Sequence, residues 1–284
     1  MVVAVGTRFN WMVQFGRPPR FAADLKVIHV DIDPTQLGHN RAVDVPIAGD
    51  ARAVLEQLHA EAEGKLDPRR WAAWTGKLRA LDAEKSAEVD GAMSSDATPI
   101  HPLRLCKEVR DFLRRDAILV VDGQEILNYG RQAIPTFVAG HRLNSGAFGC
   151  MGVGLPFGVG AKVARPDAQV VVLHGDGSYG LNAMEIDTAV RHGIPVLVVI
   201  SNNGGWTADA PWTRPLPKPG RNLGHTRYDK VAQELGAHGE YVEKPHEIRP
   251  ALERAWASGR PAVVNVITDG KARAQTVRFS AYQT

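Results

Sequence analysis

"VVVLHGDGSYGLNAMEIDTAVRHGIPVLVVISNNGGW", residues 170–206, is the stretch on which the fold turns. It contains two short apolar runs, Val170–Leu173 and Val196–Ile200, rich in β-branched residues and free of charge, as in strands buried on both faces. Between them, "NAMEIDTAVRHG" sets Ala183, Ile186, Ala189 and Val190 on one helical face, with Gly193 as a stop. The spacing predicts a helix over 182–192. Strand, helix, strand makes a βαβ unit, whose crossover lays the strands parallel and brings their C-terminal ends to one sheet edge. Asp176 and Asn203, 27 positions apart in the chain, are therefore expected side by side.

The same grammar extends outward over residues 101–268, read as one α/β domain. Strands are expected at 117–123, 169–177, 195–203 and 261–268, and helices at 102–115, 151–164, 182–192, 227–235 and 246–258. Residues 1–62 alternate strands and connections ("VVAVG", "KVIHVDID", "VDVPIAGD") before the helix "ARAVLEQLHAEA", for which Asp50 is the expected N-cap. This is the second half of a Rossmann-like, nucleotide-binding layer. Asp31 and Asp33 end a strand there, and either take ribose hydroxyls or cap the turn that Pro34 begins. Val2–Gly6 reads as a core strand with nothing before it to pack on, so preceding residues are expected to be missing or on another chain. Residues 63–100 read as a helical linker, with Trp71, Trp74, Leu78 and Leu81 at core-facing spacing. Residues 269–284 form a basic tail.

Composition narrows the classes. Of 284 residues, 44% are hydrophobic and 23% charged, as in an ordinary globular protein, and a net charge of +3 gives no argument for nucleic acid. No run of 18 apolar residues is present to span a membrane. The N-terminus has neither a basic leader nor a small-residue cleavage site, so no signal peptide is expected and the chain reads as cytoplasmic. Cys106 and Cys150 offer no disulfide framework or metal spacing, and are expected to be buried thiols.

The chemistry lies in the two loops. A glycine-flanked turn from strand into helix bares backbone N–H groups suited to a phosphate, to which Ser178 adds a hydroxyl. Asp176, between Gly175 and Gly177, would repel that phosphate unless a divalent cation lay between them. Asp carboxylate, Asn203 carbonyl, the Gly205 backbone carbonyl, two diphosphate oxygens and a water make an oxygen set that suits octahedral Mg²⁺.

At this point the sequence resembles the thiamine-diphosphate-dependent enzymes, whose signature is Gly-Asp-Gly followed, after an interval of this length, by Asn-Asn. The resemblance spans the chain, with 1–62 like the end of the central domain and 101–268 like the diphosphate-binding domain. It implies thiamine diphosphate and Mg²⁺ as cofactors. In "SGAFGCMGVGLPFGVGAKVARPD" (145–167), Met151 matches the apolar wedge that bends the cofactor, and Gly149 the carbonyl that accepts from its 4′-amino group. The bend lets the cofactor lose a ring proton, attack a carbonyl and act as electron sink for carbon–carbon cleavage or ligation. Gly123, Gln124 and Glu125 of "VVDGQEILNYGRQ" match the segment near the diphosphate; Trp206 and Thr207 follow the metal loop.

The resemblance also implies a partner. A glutamate on a pyrimidine-binding domain drives the cofactor's tautomer switch in these enzymes, and no glutamate of this chain matches it. Activity is thus expected to need that domain or subunit, in a homo- or hetero-oligomer. The segments "VDGQEILNYGRQ", "SNNGGWTA" and "ARAQTVRFSAYQT" look most like 2-hydroxyacyl-CoA lyases and oxalyl-CoA decarboxylases, while "VDIDPTQLGHNR" also looks like acetolactate synthase. In the former the tail closes as a lid over the active site, so Lys271, Arg273 and Arg278 either serve an acyl-CoA or are simply solvated. Relatives bind ADP or FAD in the central domain; with only its second half read here, that nucleotide is left open. An enzyme component, a non-catalytic cofactor-binding module and a truncated copy all remain open readings.

Overall fold

The computed structural model describes residues 1–206 and 220–274. It divides into two compact units, one from Met1 to Ala80 and the other from Leu81 onward. In the first, β1 (Val2–Val5), β2 (Val27–Asp31) and β3 (Val45–Ala48) pair in that order, all parallel. Ala4, Phe9 and Val27 form its small core, with Phe9 edge-on to His29. Helix α1 (Ala51–Ala62) starts where expected, the Asp50 carboxylate accepting the Ala53 N–H at 3.0 Å. Asp33 likewise spends its carboxylate locally, on the N–H and hydroxyl of Thr35 at 2.9 and 2.7 Å. Those bonds, first the hydroxyl's, hold it below the usual carboxylate range. Of the two readings of Asp33, the turn cap is the one realised.

Helix α2 (Ala72–Met93) carries the chain into the second unit. Its helical period is as predicted, but its facing is not: Trp71, Trp74, Leu78 and Leu81 are all exposed, Trp74 to 58%. Charged residues surround the stripe on every turn, and Met93 is the helix's buried residue. Periodicity dictated a helix without supplying a core to cover it.

In the second unit the described residues form a six-stranded parallel sheet, ordered β5-β4-β6-β7-β9-β8. The strands are β4 (Ile118–Asp122), β5 (Arg142–Leu143), β6 (Val170–Gly175), β7 (Leu197–Asn202), β8 (His238–Val242) and β9 (Ala262–Ile267). Around them lie α3 (Pro102–Phe112), α4 (Glu125–Ala133), α5 (Gly154–Ala164), α6 (Asp176–Leu181), α7 (Glu185–Arg191), α8 (Tyr228–Glu234) and α9 (Ile248–Ala257). Alternation splits each apolar run between two cores. Val171 and Leu173 of β6 pack with residues of α3, α4 and α9, whereas Val170 and Val172 pack with those of α5, α7 and α8. Both faces are thus covered, which explains why the strands carry no polar alternation.

From β4 the chain goes first to β5 on one side, then returns to β6 on the other. The strand order therefore reverses between β4 and β6, and ligands of open parallel sheets bind outside the strand C-termini at such a point.

Four elements were not expected: α4, α6, the two-residue β5 and the edge strand β8, whose "HGEYV" is too polar to read as buried. The strand expected to reach 177 ends at Gly175, and the helix expected over 182–192 starts only at Glu185; the Asn182 amide, between α6 and α7, donates to Gly152 O at 2.8 Å. Cys106 is buried, its thiol pushed up to about 12 by desolvation, but Cys150 is exposed, contrary to expectation. It lies in a loop outside the regular elements, where its side chain meets no core. Among the described residues no helix is long and apolar enough to cross a membrane.

Helix α5 sits so close to the sheet that its glycines are not equivalent. A Cβ on Gly158 would lie 2.3 Å from Val172 Cγ2, while one on Gly160 meets nothing within 4 Å. Gly158→Ala is expected to lose roughly 1–3 kcal/mol through overpacking. Gly160→Ala should be neutral or gain up to about 1 kcal/mol of helix propensity. Urea unfolding midpoints moving in opposite directions would verify this packing; equal shifts would contradict it.

Candidate functional site

The loops after β4, β6 and β7 open into one cavity of about 300 Å³ at the sheet edge. It brings together Gly123, Gln124, Glu125, Met151, Gly175, Asp176, Gly177, Ser178, Asn203, Gly205 and Trp206. Gly149 is not among its lining residues; it ends a single 3-10 turn (Gly146–Phe148) at φ +66°. Thr207 and Arg278 lie outside the described residues.

Asp176 begins α6 and is 2% exposed. Its Oδ1 accepts the Gly177 N–H at 2.9 Å, while the buried Oδ2 has no hydrogen-bond partner among the described residues. Desolvation raises the carboxyl to about 6, despite the backbone amides that oppose the shift. An orphaned carboxylate oxygen on a cavity wall is what a cation would satisfy. Among the described residues no group of three or more His, Cys, Asp or Glu could hold a metal. A cation at Asp176 must therefore complete its shell from amide and carbonyl oxygens, water and an anionic ligand. That shell fits Mg²⁺ bound with a diphosphate and does not fit a thiol- or imidazole-ligated metal.

The two asparagines divide the work. Asn202 is fully buried, its amide donating to Thr226 O and Asn265 Oδ1, each at 3.1 Å. Asn203 lines the cavity, and its Oδ1 accepts the Gly205 N–H at 3.3 Å. Gly205 has φ +147°, and a Cβ there would lie 2.1 Å from the Arg221 carbonyl oxygen. That carbonyl accepts the Trp206 N–H at 2.8 Å, and Leu223 N–H donates to Gly204 O at 3.0 Å. Only glycine allows this double clamp. Trp206 then lies over the Gly-Asp-Gly turn, 3.1 Å from where a Gly177 Cβ would stand.

Ser178 is placed at the cavity with its hydroxyl already engaged. Its Oγ lies 3.0 Å from the carbonyls of Asp122 and Gly175 and from His174 Nδ1. His174 is buried, which pushes its pKa down to about 3 and leaves the ring neutral. Gly123 (φ +125°) closes the cradle: a Cβ there would sit 3.3 Å from the Gly175 nitrogen.

Asp122, at the end of β4, went unread in the sequence. Its buried Oδ2 accepts the N–H groups of Gly152 and Gly154, both at 2.8 Å, on either side of Val153 and directly after Met151. This bridge makes 149–153 a loop, so α5 starts at Gly154 instead of 151, and Met151 stands on the cavity wall 37% exposed. An acid ending an apolar strand beside Gly123 was the available signal. Arg221 and Asp269 also line the cavity without any motif to mark them. Glu125 lines it as well, but its Oε2 accepts the Ala274 N–H at 2.8 Å and so holds the chain just before the tail. Lys271 is exposed, and Arg273 Nη1 is engaged with the carbonyls of Gly270 and Ala272, both at 2.8 Å.

The raised carboxyl of Asp176 makes stability depend on pH. The folded group holds its proton up to about 6 against an ordinary 3.8, so the folded state binds more protons in between. Below pH 3.8 there is no difference; as pH rises through 6 stability falls by roughly 3 kcal/mol. Without divalent cations, urea unfolding from pH 4 to 7 should show this loss in the wild type relative to Asp176→Asn. Parallel pH profiles would show that Asp176 is not desolvated.

Two family profiles match the chain: the thiamine pyrophosphate enzyme central domain over residues 1–58, and the C-terminal TPP binding domain over 128–266. An acetolactate synthase large subunit of Mycobacterium tuberculosis is 39% identical over 280 residues, covering 95% of this chain and 48% of that protein. A 2-hydroxyacyl-CoA lyase of Oryza sativa is 32% identical over 294 residues, covering 98% of this chain and 50% of that one. The thiamine diphosphate-dependent 4-hydroxybenzoylformate decarboxylase of Rhodococcus jostii shares the fold, with TM-score 0.72 at 22% identity over 94% of this chain and 48% of its own. The chain spans about half the length of the curated relatives it matches. It belongs to the thiamine pyrophosphate enzymes, matching their central domain over residues 1–58 and their C-terminal TPP binding domain over 128–266.

Proposed function

We propose that this chain is the Mg²⁺- and diphosphate-anchoring portion of a carbon–carbon lyase, decarboxylase or carboligase acting on 2-hydroxyacyl- or 2-oxoacyl compounds. The observation that carries this reading is the unpartnered Asp176 Oδ2 beside Asn203 in the cavity at the strand-order reversal. Asp176, Asn203 and the Gly205 carbonyl would hold Mg²⁺. The Gly175–Gly177 turn would face the diphosphate; the Trp206 N–H is already given to the Arg221 carbonyl, so Trp206 would contribute its ring beside the turn. Bound there, thiamine diphosphate supplies an electron sink for making or breaking a bond beside a carbonyl.

The chain's own residues bind and orient. Met151, positioned by the Asp122 bridge, gives the cofactor an apolar support, and the Gly149 carbonyl, nearby in sequence, would accept from its amino group. Gly123 and Gln124 wall the diphosphate, and Glu125 fixes the segment that leads into the tail. The glutamate that works on the pyrimidine ring would come from a separate domain or subunit, making the active assembly an oligomer of cytoplasmic enzyme chains. Asp33 is committed to its own turn, so we assign no ADP or FAD to the first unit.

For the substrate, an acyl-CoA follows from the lyase- and decarboxylase-like segments. Condensation of 2-oxo acids, as in acetolactate synthase, is the second reading, favoured by 39% identity against 32%. Turnover of oxalyl-CoA, a 2-hydroxyacyl-CoA and pyruvate by the assembled protein separates them.

The metal site is tested by titrating the chain, with a pyrimidine-binding partner, against thiamine diphosphate while following Trp206 fluorescence. Saturable, Mg²⁺-dependent quenching is expected, and Asp176→Ala should weaken it at least 100-fold. Trp206→Phe should remove the signal. Undiminished affinity in excess EDTA would overturn the site.

A further inference from the structure

A second cavity, of about 360 Å³, adjoins the first through Tyr129, whose side chain lines both. Its size suits a small ligand. Its wall is rich in donors. Lys85 of α2 and Arg273 contribute two cations and Glu88 one carboxylate to the lining, while the Glu125 and Asp269 carboxylates act on Tyr129 from outside it; Glu88 and Gln132 have partners of their own. The Arg273 guanidinium is held at the wall by its two backbone carbonyls. His101 caps α3, its Nδ1 accepting the Leu103 N–H at 3.1 Å, and burial lowers its pKa. The neutral ring therefore carries its proton on Nε2, as a donor.

Tyr129 supplies the decisive observation. It is 2% exposed, with its ring edge-on to His101 at 5.7 Å, yet its hydroxyl has no hydrogen-bond partner among the described residues. A buried phenol left unbonded is costly, and such groups are satisfied in all but a few cases. The nearby Glu125 carboxylate makes no hydrogen bond to it and accepts the Ala274 N–H on Oε2. A ligand with acceptor oxygens would complete this hydroxyl, the two cations and the imidazole N–H together.

We propose that this cavity is a binding site for a small organic anion bearing a carboxylate or phosphate group, held by the Tyr129 hydroxyl, Lys85 and Arg273. It is distinct from the metal–diphosphate cradle and needs neither Mg²⁺ nor thiamine diphosphate.

The test is calorimetric titration of the full chain in EDTA, without cofactor, using oxalate as the carboxylate probe and inorganic pyrophosphate as the phosphate probe. Saturable binding of at least one is expected, and the preferred probe identifies the ligand class. Tyr129→Phe should weaken it about tenfold, in the range of one hydrogen bond. The same change should leave the thermal midpoint of the ligand-free protein unchanged or raise it, because an unbonded hydroxyl is removed. Lys85→Ala, on an exposed position, should weaken binding severalfold and reduce its salt dependence. Asp176→Asn should leave it unaltered. No saturable binding of either probe, or binding that responds to Asp176→Asn but not to Tyr129→Phe, would overturn the proposal while leaving the Mg²⁺-dependent titration above to stand or fall alone.

Discussion

A carboxylate oxygen that is buried and accepts nothing is the constraint around which this site is arranged. Asp176 Oδ2 has been taken out of water, and the described residues supply it no proton donor in return. Desolvation of a charge on this scale is tolerated when a counter-charge arrives with the ligand. A divalent cation provides one, and it also turns an acid that would repel a phosphate into one that recruits it. A site able to take a cation is thus set against a loss of native-state stability at one residue.

The rest of the sheet edge makes that arrangement reproducible. Parallel pairing sets Gly175 opposite Ser201, so Asp176 and Asn203 leave neighbouring strands only slightly out of step. The pairing of β4 with β6 sets Asp122 opposite His174, which puts a second buried acid one strand away. The two acids do different jobs because their surroundings differ. Asp122 is bonded by two glycine amides and acts as a bridge that shapes the Met151 loop. Asp176 accepts the Gly177 amide on Oδ1 and leaves Oδ2 without a hydrogen bond among the described residues, so that oxygen is the one placed to take a cation.

How far this was legible in the sequence follows from what each feature needs. The β6–α7–β7 unit was readable because its signals are local: β-branched runs, a 3.6-residue period and glycine stops. The convergence of Asp176 with Asn203 followed from crossover geometry alone. Asp122 could be marked as an acid at the end of an apolar strand, but its role could not be read, because its partners are backbone amides 30 and 32 positions away. β8 was missed because an edge strand keeps polar residues that a central one excludes. The α2 stripe misled in the opposite way. Trp71, Trp74, Leu78 and Leu81 have core spacing, but spacing reports only that residues share a face, never that something covers it.

Tyr129 lies on α4, a helix absent from the sequence expectations although Ile126, Tyr129, Gly130 and Ala133 are buried at helical spacing; it stands between Glu125, which ties the approach to the tail, and the wall bearing His101 and Arg273. One rigid turn of helix therefore presents a residue to the diphosphate cavity and to the donor-lined cavity beside it. An anion bound against Tyr129 would restrain the same helix whose first residue anchors Ala274, and so would bear on the wall formed by residues 269–274. Coupling of that kind requires no moving domain, only that α4 and the chain it holds respond together. The fixed sheet edge supplies the cradle, and adjustment is left to the segments that α4 touches.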